Sequence, residues 1–137
     1  MLELKEYRLL RNQCFIDGVW CNADSGRRDA VFDPATGEEL GRVPAMGVGE
    51  TRRAIDAAAR ALPAWRAKPA HERAAVLRRW YELVLRHQED LARIMTAEQG
   101  KPLAEARGEI AYGASFLEWL AEEGKRVYGD TIPSENA

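Results

Sequence analysis

The segment Met46-Gly47-Val48-Gly49 sits where a predicted strand gives way to a predicted helix. Glycines at such a junction let the backbone approach a pyrophosphate, and the helix N-terminus attracts the anion. A dinucleotide fingerprint would need a third glycine at position 52, which is Arg52, and a parallel strand after the helix, for which there is no sequence signal. A loop and helix start is the better reading. The run Glu98-Gln99-Gly100-Lys101-Pro102 contains the Gly-Lys pair of a phosphate-binding loop, but that loop's first glycine would fall at Met95. The run reads instead as a helix C-terminus with a glycine stop.

Glu105 with Glu109, and Glu118 with Glu122, have the spacing that puts paired carboxylates on one helix face. Paired acids do general acid–base work or bind metal. Neither pair has a histidine within its helix, and basic residues lie nearby, so a solvated face is the favoured reading. His71 and His87 have polar neighbours and read as surface residues. Cys14 and Cys21 match no zinc spacing and no Cys-x-x-Cys redox pair. Nothing in the sequence supplies the base or helix N-terminus that would activate a thiolate, so both read as packing residues. Trp20, Trp65, Trp80 and Trp119 read mostly as core. As stacking platforms for nucleic acid they would need a basic groove. The residues alone form no complete catalytic constellation, and no residue set is put forward for a resident metal.

With 137 residues the chain suits one domain or one packed part of a larger one. Its 46% hydrophobic and 31% charged residues make an ordinary soluble globular composition. A net charge of -2, with both signs interspersed, argues against nucleic acid and anionic membranes as partners. No apolar run approaches the roughly 20 residues of a membrane span, and residues 1–11 lack the apolar stretch of a secretory signal. A reducing cytoplasm is the simplest compartment for two unpaired cysteines.

The elements that would position these residues follow from periodicity. Asp17-Gly18, between apolar flanks, marks a tight hairpin turn. Asp33 to Glu38 marks a second turn, entered by Ala30-Val31-Phe32 and left by Glu39 to Val43. From Gly49 the period becomes helical through Ile55, Ala58, Leu62 and Trp65, ending between Pro63 and Pro69. A second helix starts near Ala70 with a stripe of Leu77, Trp80, Tyr81 and Val84. The pattern slips at His87, and a short helix from Gln88–Asp90 ends at Gly100. A last helix spans about Leu103 to Glu123, its stripe being Ala106, Ile110, Gly113, Leu117 and Leu120. Phe116 and Trp119 widen its apolar face into a second contact surface, and Ile132-Pro133 suits an edge strand.

The order of these segments resembles the start of an aldehyde dehydrogenase. The matching pieces are Phe15 to Trp20, Asp33 to Glu38, Arg52 to Ala58 with Ala64-Trp65-Arg66, and Glu72-Arg73 with Leu77 to Trp80. They continue with Glu98 to Pro102, Glu105-Ala106, and Glu122 to Gly129 leading into Thr131-Ile132-Pro133. The runs around Gly100 and Gly124 look most similar to the succinate-semialdehyde branch, with the glutarate-semialdehyde enzymes as the nearest alternative.

The resemblance implies an α/β fold: hairpins followed by three or four helices of a Rossmann-like cofactor domain, incomplete in this chain. Residues 1–128 would form the N-terminal part of the cofactor-binding domain, and 129–137 the start of an oligomerisation arm. The implied reaction is oxidation of an aldehyde, here succinate semialdehyde to succinate, with NADP or NAD as oxidant. A cysteine thiolate attacks the carbonyl, hydride leaves to the nicotinamide, and a glutamate activates water to hydrolyse the thioester. Arginines would hold the substrate's distal carboxylate. The partners implied are a small-molecule aldehyde and further copies of the enzyme, as homodimer or homotetramer.

In the family the nucleophile, the base, the oxyanion asparagine and the glycine-rich cofactor turn all lie after the part that this chain matches. No catalytic or cofactor-binding residue therefore carries over, and the segment alone should bind no cofactor. What carries over is one wall of a substrate tunnel, at Gly108 and Tyr112. Some members also hold a monovalent cation at a place corresponding to the Val31 carbonyl and Glu98. The alternative is a non-catalytic helical module retained for binding or assembly.

Overall fold

A computed structural model describes residues 2–130. Two antiparallel hairpins precede four helices. In the first hairpin β1 (Cys14–Ile16) pairs with β2 (Val19–Cys21), with Ile16 opposite Val19. Asp17 and Gly18 make the two-residue turn, at φ 52° and 81°. Positive φ at both positions gives the turn the twist that matches its strands, and Asp-Gly tolerates it. In the second hairpin β3 (Arg28–Phe32) pairs with β4 (Glu39–Pro44), with a register shift between Val31 and Phe32. Its turn is closed by the Gly37 N–H donating to the Asp33 carbonyl at 2.7 Å and the Ala35 N–H donating to Asp33 Oδ1 at 2.7 Å.

Helix α1 (Val48–Ala67) continues through Pro63 and stops before Pro69. Helix α2 (Ala70–Arg86) ends at His87, and α3 (Gln88–Gln99) begins directly after it. His87 itself is half-buried at this junction and is not a free surface residue. Gly100 ends α3 in the left-handed conformation, with its N–H on the Thr96 carbonyl at 2.8 Å. Helix α4 (Leu103–Glu123) packs chiefly on α2 and α3. The expected strand at Ile132-Pro133 lies outside the described residues, as does most of the arm.

The core is built from small residues. Among the described residues the buried apolar side chains are Leu4, Ala23, Pro44, Ala74, Ala92, Ala106, Ala114 and Ala121. Alanines on facing helices let the backbones approach closely, and the larger side chains are left around the seam. This corrects the expectation for the tryptophans. Trp20, Trp65, Trp80 and Trp119 are all exposed, Trp80 at 56% and Trp119 at 65%. The helical period correctly marks the apolar stripes of Trp65, Trp80 and Trp119, but among the described residues these three side chains stay exposed, while Trp20 is met by Phe15 and by the Arg11 guanidinium 4.8 Å over its ring. Leu120 and Gly113 are likewise exposed, and the buried line of α4 runs one residue aside, through Ala114 and Ala121.

Candidate functional site

The Gly47-Val48-Gly49 junction is filled by the protein's own carboxylate. Glu50, in the first turn of α1, reaches back so that its Oε2 accepts the Gly47 N–H at 3.1 Å. Its Oε1 accepts the Asp24 N–H at 2.8 Å. Backbone N–H donors from Asp24, from Glu50 itself and from Gly47 hold this buried carboxyl below the ordinary carboxylate range. Arg53, one turn on, forks onto both oxygens of Asp24 at 2.8 Å. An incoming pyrophosphate would meet Glu50 here, so the junction does not fit a dinucleotide.

Three of the four paired acids, Glu109, Glu118 and Glu122, have structural partners. Arg78 of α2 spans Glu118 and Glu122, donating to each at 2.8 Å. Glu109 pairs with Lys101, which joins the glycine stop of α3 to α4. Glu89 accepts from Arg107 at 2.7 Å and from Arg93 at 3.1 Å. The Arg107 hydrogen bond, with help from Arg93, lowers the Glu89 carboxyl to about 2. Among the described residues no three His, Cys, Asp or Glu side chains stand together as metal ligands would. Val31 and Glu98 do line one hollow, with Leu10, Arg11, Asn12 and Leu40 around them.

Asp90 was missed in the sequence. It is 4% exposed and accepts the backbone N–H groups of Lys5 and Glu6 at 3.0 and 2.9 Å. This clamp docks the N-terminal segment on α3. Its only sequence signal is an acid in the first turn of a helix, which is common for reasons of the helix dipole.

On α4, Gly108 and Tyr112 lie one turn apart and are both exposed. A β-carbon on Gly108 would meet no atom within 4 Å. Tyr112 meets Phe116 edge-on, with ring centroids 4.9 Å apart at 75°. The two rings, Ser115 and Trp119 line an open apolar groove. The groove holds no nucleophile with an adjacent base. It offers a wall, not a reacting group.

Residues 20–137 match the Aldehyde dehydrogenase family. The chain belongs to that family. It is 64% identical over 132 residues to the glutarate-semialdehyde dehydrogenase of Pseudomonas putida KT2440, covering 96% of this chain and 28% of that protein. It is 60% identical over 136 residues to the NADP(+)-dependent succinate-semialdehyde dehydrogenase of Escherichia coli K12, covering 99% of this chain and 28% of that protein. The crystal structure of succinate-semialdehyde dehydrogenase from Burkholderia pseudomallei superposes with a TM-score of 0.94 at 62% identity, covering 97% of this chain and 28% of that one. The chain thus spans little more than a quarter of the length of these aldehyde dehydrogenases and matches their N-terminal part. The α/β architecture expected from the resemblance is the one observed, with four helices. Among the described residues no helix is long and apolar enough to cross a membrane.

Proposed function

We propose that this chain is the N-terminal part of an NAD(P)-dependent aldehyde dehydrogenase that oxidises succinate semialdehyde to succinate. The observation that carries the reading is the family match over residues 20–137, joined to 60% identity with an enzyme named for that substrate. Glutarate semialdehyde is the alternative, because the relative named for it is 64% identical. The two substrates share an aldehyde at one end and a carboxylate at the other, and differ by one methylene. A methylene in a pocket is worth only about 1–3 kcal/mol of discrimination, so close relatives can differ in which they prefer.

In this reading residues 1–128 belong to the cofactor-binding domain and residues 129–137 begin the oligomerisation arm of a homodimer or homotetramer. A nicotinamide cofactor, when bound, supplies the hydride acceptor. This segment supplies scaffold and, at Gly108 and Tyr112, one wall of the substrate tunnel. The Tyr112 ring, braced by Phe116, would exclude water beside the aldehyde, and Gly108 would leave room for its passage.

The test is the rise in nicotinamide absorbance catalysed by the whole protein that carries this sequence. Succinate semialdehyde should give a higher kcat/KM than glutarate semialdehyde, and both should exceed butanal, which lacks the carboxylate. Preference for butanal would overturn the substrate class. Preference for glutarate semialdehyde would leave the class and replace the substrate. The 137-residue chain alone should show no turnover.

A further inference from the structure

By spacing alone Cys14 and Cys21 are packing residues, but the hairpin gives that spacing another meaning. The turn at Asp17-Gly18 brings the two directly opposite each other in the β1–β2 ladder. Opposed residues project from the same face of a two-stranded ladder. The Phe15–Trp20 pair takes the other face, with ring centroids 5.1 Å apart. Both thiols are free and half-buried. The Cys21 thiol leans across the ladder and donates to the Cys14 carbonyl at 3.5 Å.

The distance suits a covalent bond. Opposed residues in an antiparallel ladder have Cα atoms about 4.5–5.5 Å apart, and disulfides span Cα separations of about 4.4–6.8 Å. Rotation of the two side chains is the main movement required. The thiolate is the attacking species in disulfide exchange.

We propose that Cys14 and Cys21 are a modification site: a dithiol that closes reversibly to an intrachain disulfide by exchange with a low-molecular-weight disulfide such as oxidised glutathione. The Cys21 thiolate attacks one sulfur of the glutathione disulfide. A Cys21–glutathione bond forms, the glutathione S–S bond breaks, and one glutathione thiolate leaves. Cys14 then attacks the Cys21 sulfur, the Cys14–Cys21 bond forms, and the second glutathione thiolate leaves. The two protons from the cysteine thiols go to the two leaving thiolates. The chain is oxidised by two electrons and glutathione disulfide is reduced to two thiols.

The experiment incubates the 137-residue chain in a glutathione redox buffer, quenches with acid, alkylates and weighs the products. Both thiols should disappear together, with loss of about two mass units per chain, and one linked peptide should carry both cysteines at every chain concentration. Cys14→Ser should trap glutathione on Cys21, and Cys21→Ser should trap it on Cys14. In urea, with circular dichroism recording the loss of helix, the equilibrium constant should fall by roughly tenfold or more, because the folded ladder sets the effective concentration. Chains linked to one another, two separate adducts on one chain, unreactive thiols, or a constant unaltered by urea would each overturn the proposal.

Discussion

Replacing Gly100 with alanine should destabilise this fold far more than the same change at Gly108. Gly100 sits at φ 70°, and a β-carbon there would lie 2.9 Å from Pro34 Cγ in the turn of the second hairpin. Holding an L side chain in the left-handed region costs about 1–2 kcal/mol. Forcing a methyl into an occupied contact costs about 1–3 kcal/mol, at the low end here because Pro34 is exposed and its turn can give. Reduced freedom of the unfolded chain returns about 0.4–1 kcal/mol. The net loss is therefore roughly 1–2.5 kcal/mol, a sizeable share of the ~5–15 kcal/mol that holds a domain together. Gly108 lies inside α4 with open space around it, so Gly108→Ala should stabilise by about 0.5–1 kcal/mol. Asparagine tolerates the left-handed region but keeps the clash, so Gly100→Asn should fall between. Urea unfolding followed by circular dichroism gives all three values from midpoint and slope. The reasoning is refuted if Gly100→Ala lies within about 0.5 kcal/mol of the unsubstituted chain, or if it is no worse than Gly108→Ala.

Three further outcomes are expected. Asp90→Ala removes the acceptor of two backbone N–H groups, each such bond to a charged group being worth about 1.5–3 kcal/mol. Tryptic cleavage after Lys5 and Arg8 should then accelerate by about tenfold or more, and an unchanged rate would show that other contacts hold the segment. Glu89 has a folded value of about 2 against an ordinary 4.5, so its pairing stabilises the fold above 4.5 and is lost as pH falls from 4.5 towards 2. Arg107→Gln should flatten stability across that window and raise the Glu89 midpoint in a carbon-13 titration, whereas a midpoint already near 4.5 in the unsubstituted chain would contradict the pairing. Finally, exposed Tyr112, Phe116, Trp119 and Leu120 form an apolar patch of the kind that drives association. Sedimentation of the isolated chain should show mass rising with concentration, and Trp119→Glu should weaken that rise; a monomer with a cooperative thermal transition would count against it.

Local chemistry was legible in the residues themselves. Asp17-Gly18 specifies its turn because few other residues accept positive φ twice in succession. Gly100 with Pro102 specifies a helix stop, and the slip in apolar period at His87 marks the break between α2 and α3. The family was legible for a related reason: turn and helix-end residues have little freedom, so their order and spacing persist as a signature. The site was legible only as a limit. The tempting motifs lack required positions, and the structure adds that Glu50 occupies the helix N-terminus where a phosphate would sit.

What the sequence determined, then, is where the chain turns, where its helices start and stop, and which family it resembles, because backbone sterics act over a few residues. What only the tertiary structure decided is which distant groups meet. Asp90 reaches the backbone of Lys5 and Glu6, Glu50 reaches Asp24, and Cys14 faces Cys21 across a ladder. It also decided that alanines form the seam of the helices while the tryptophans stay outside. A hydrophobic period reports that a face is apolar. Whether that face is covered depends on what packs against it.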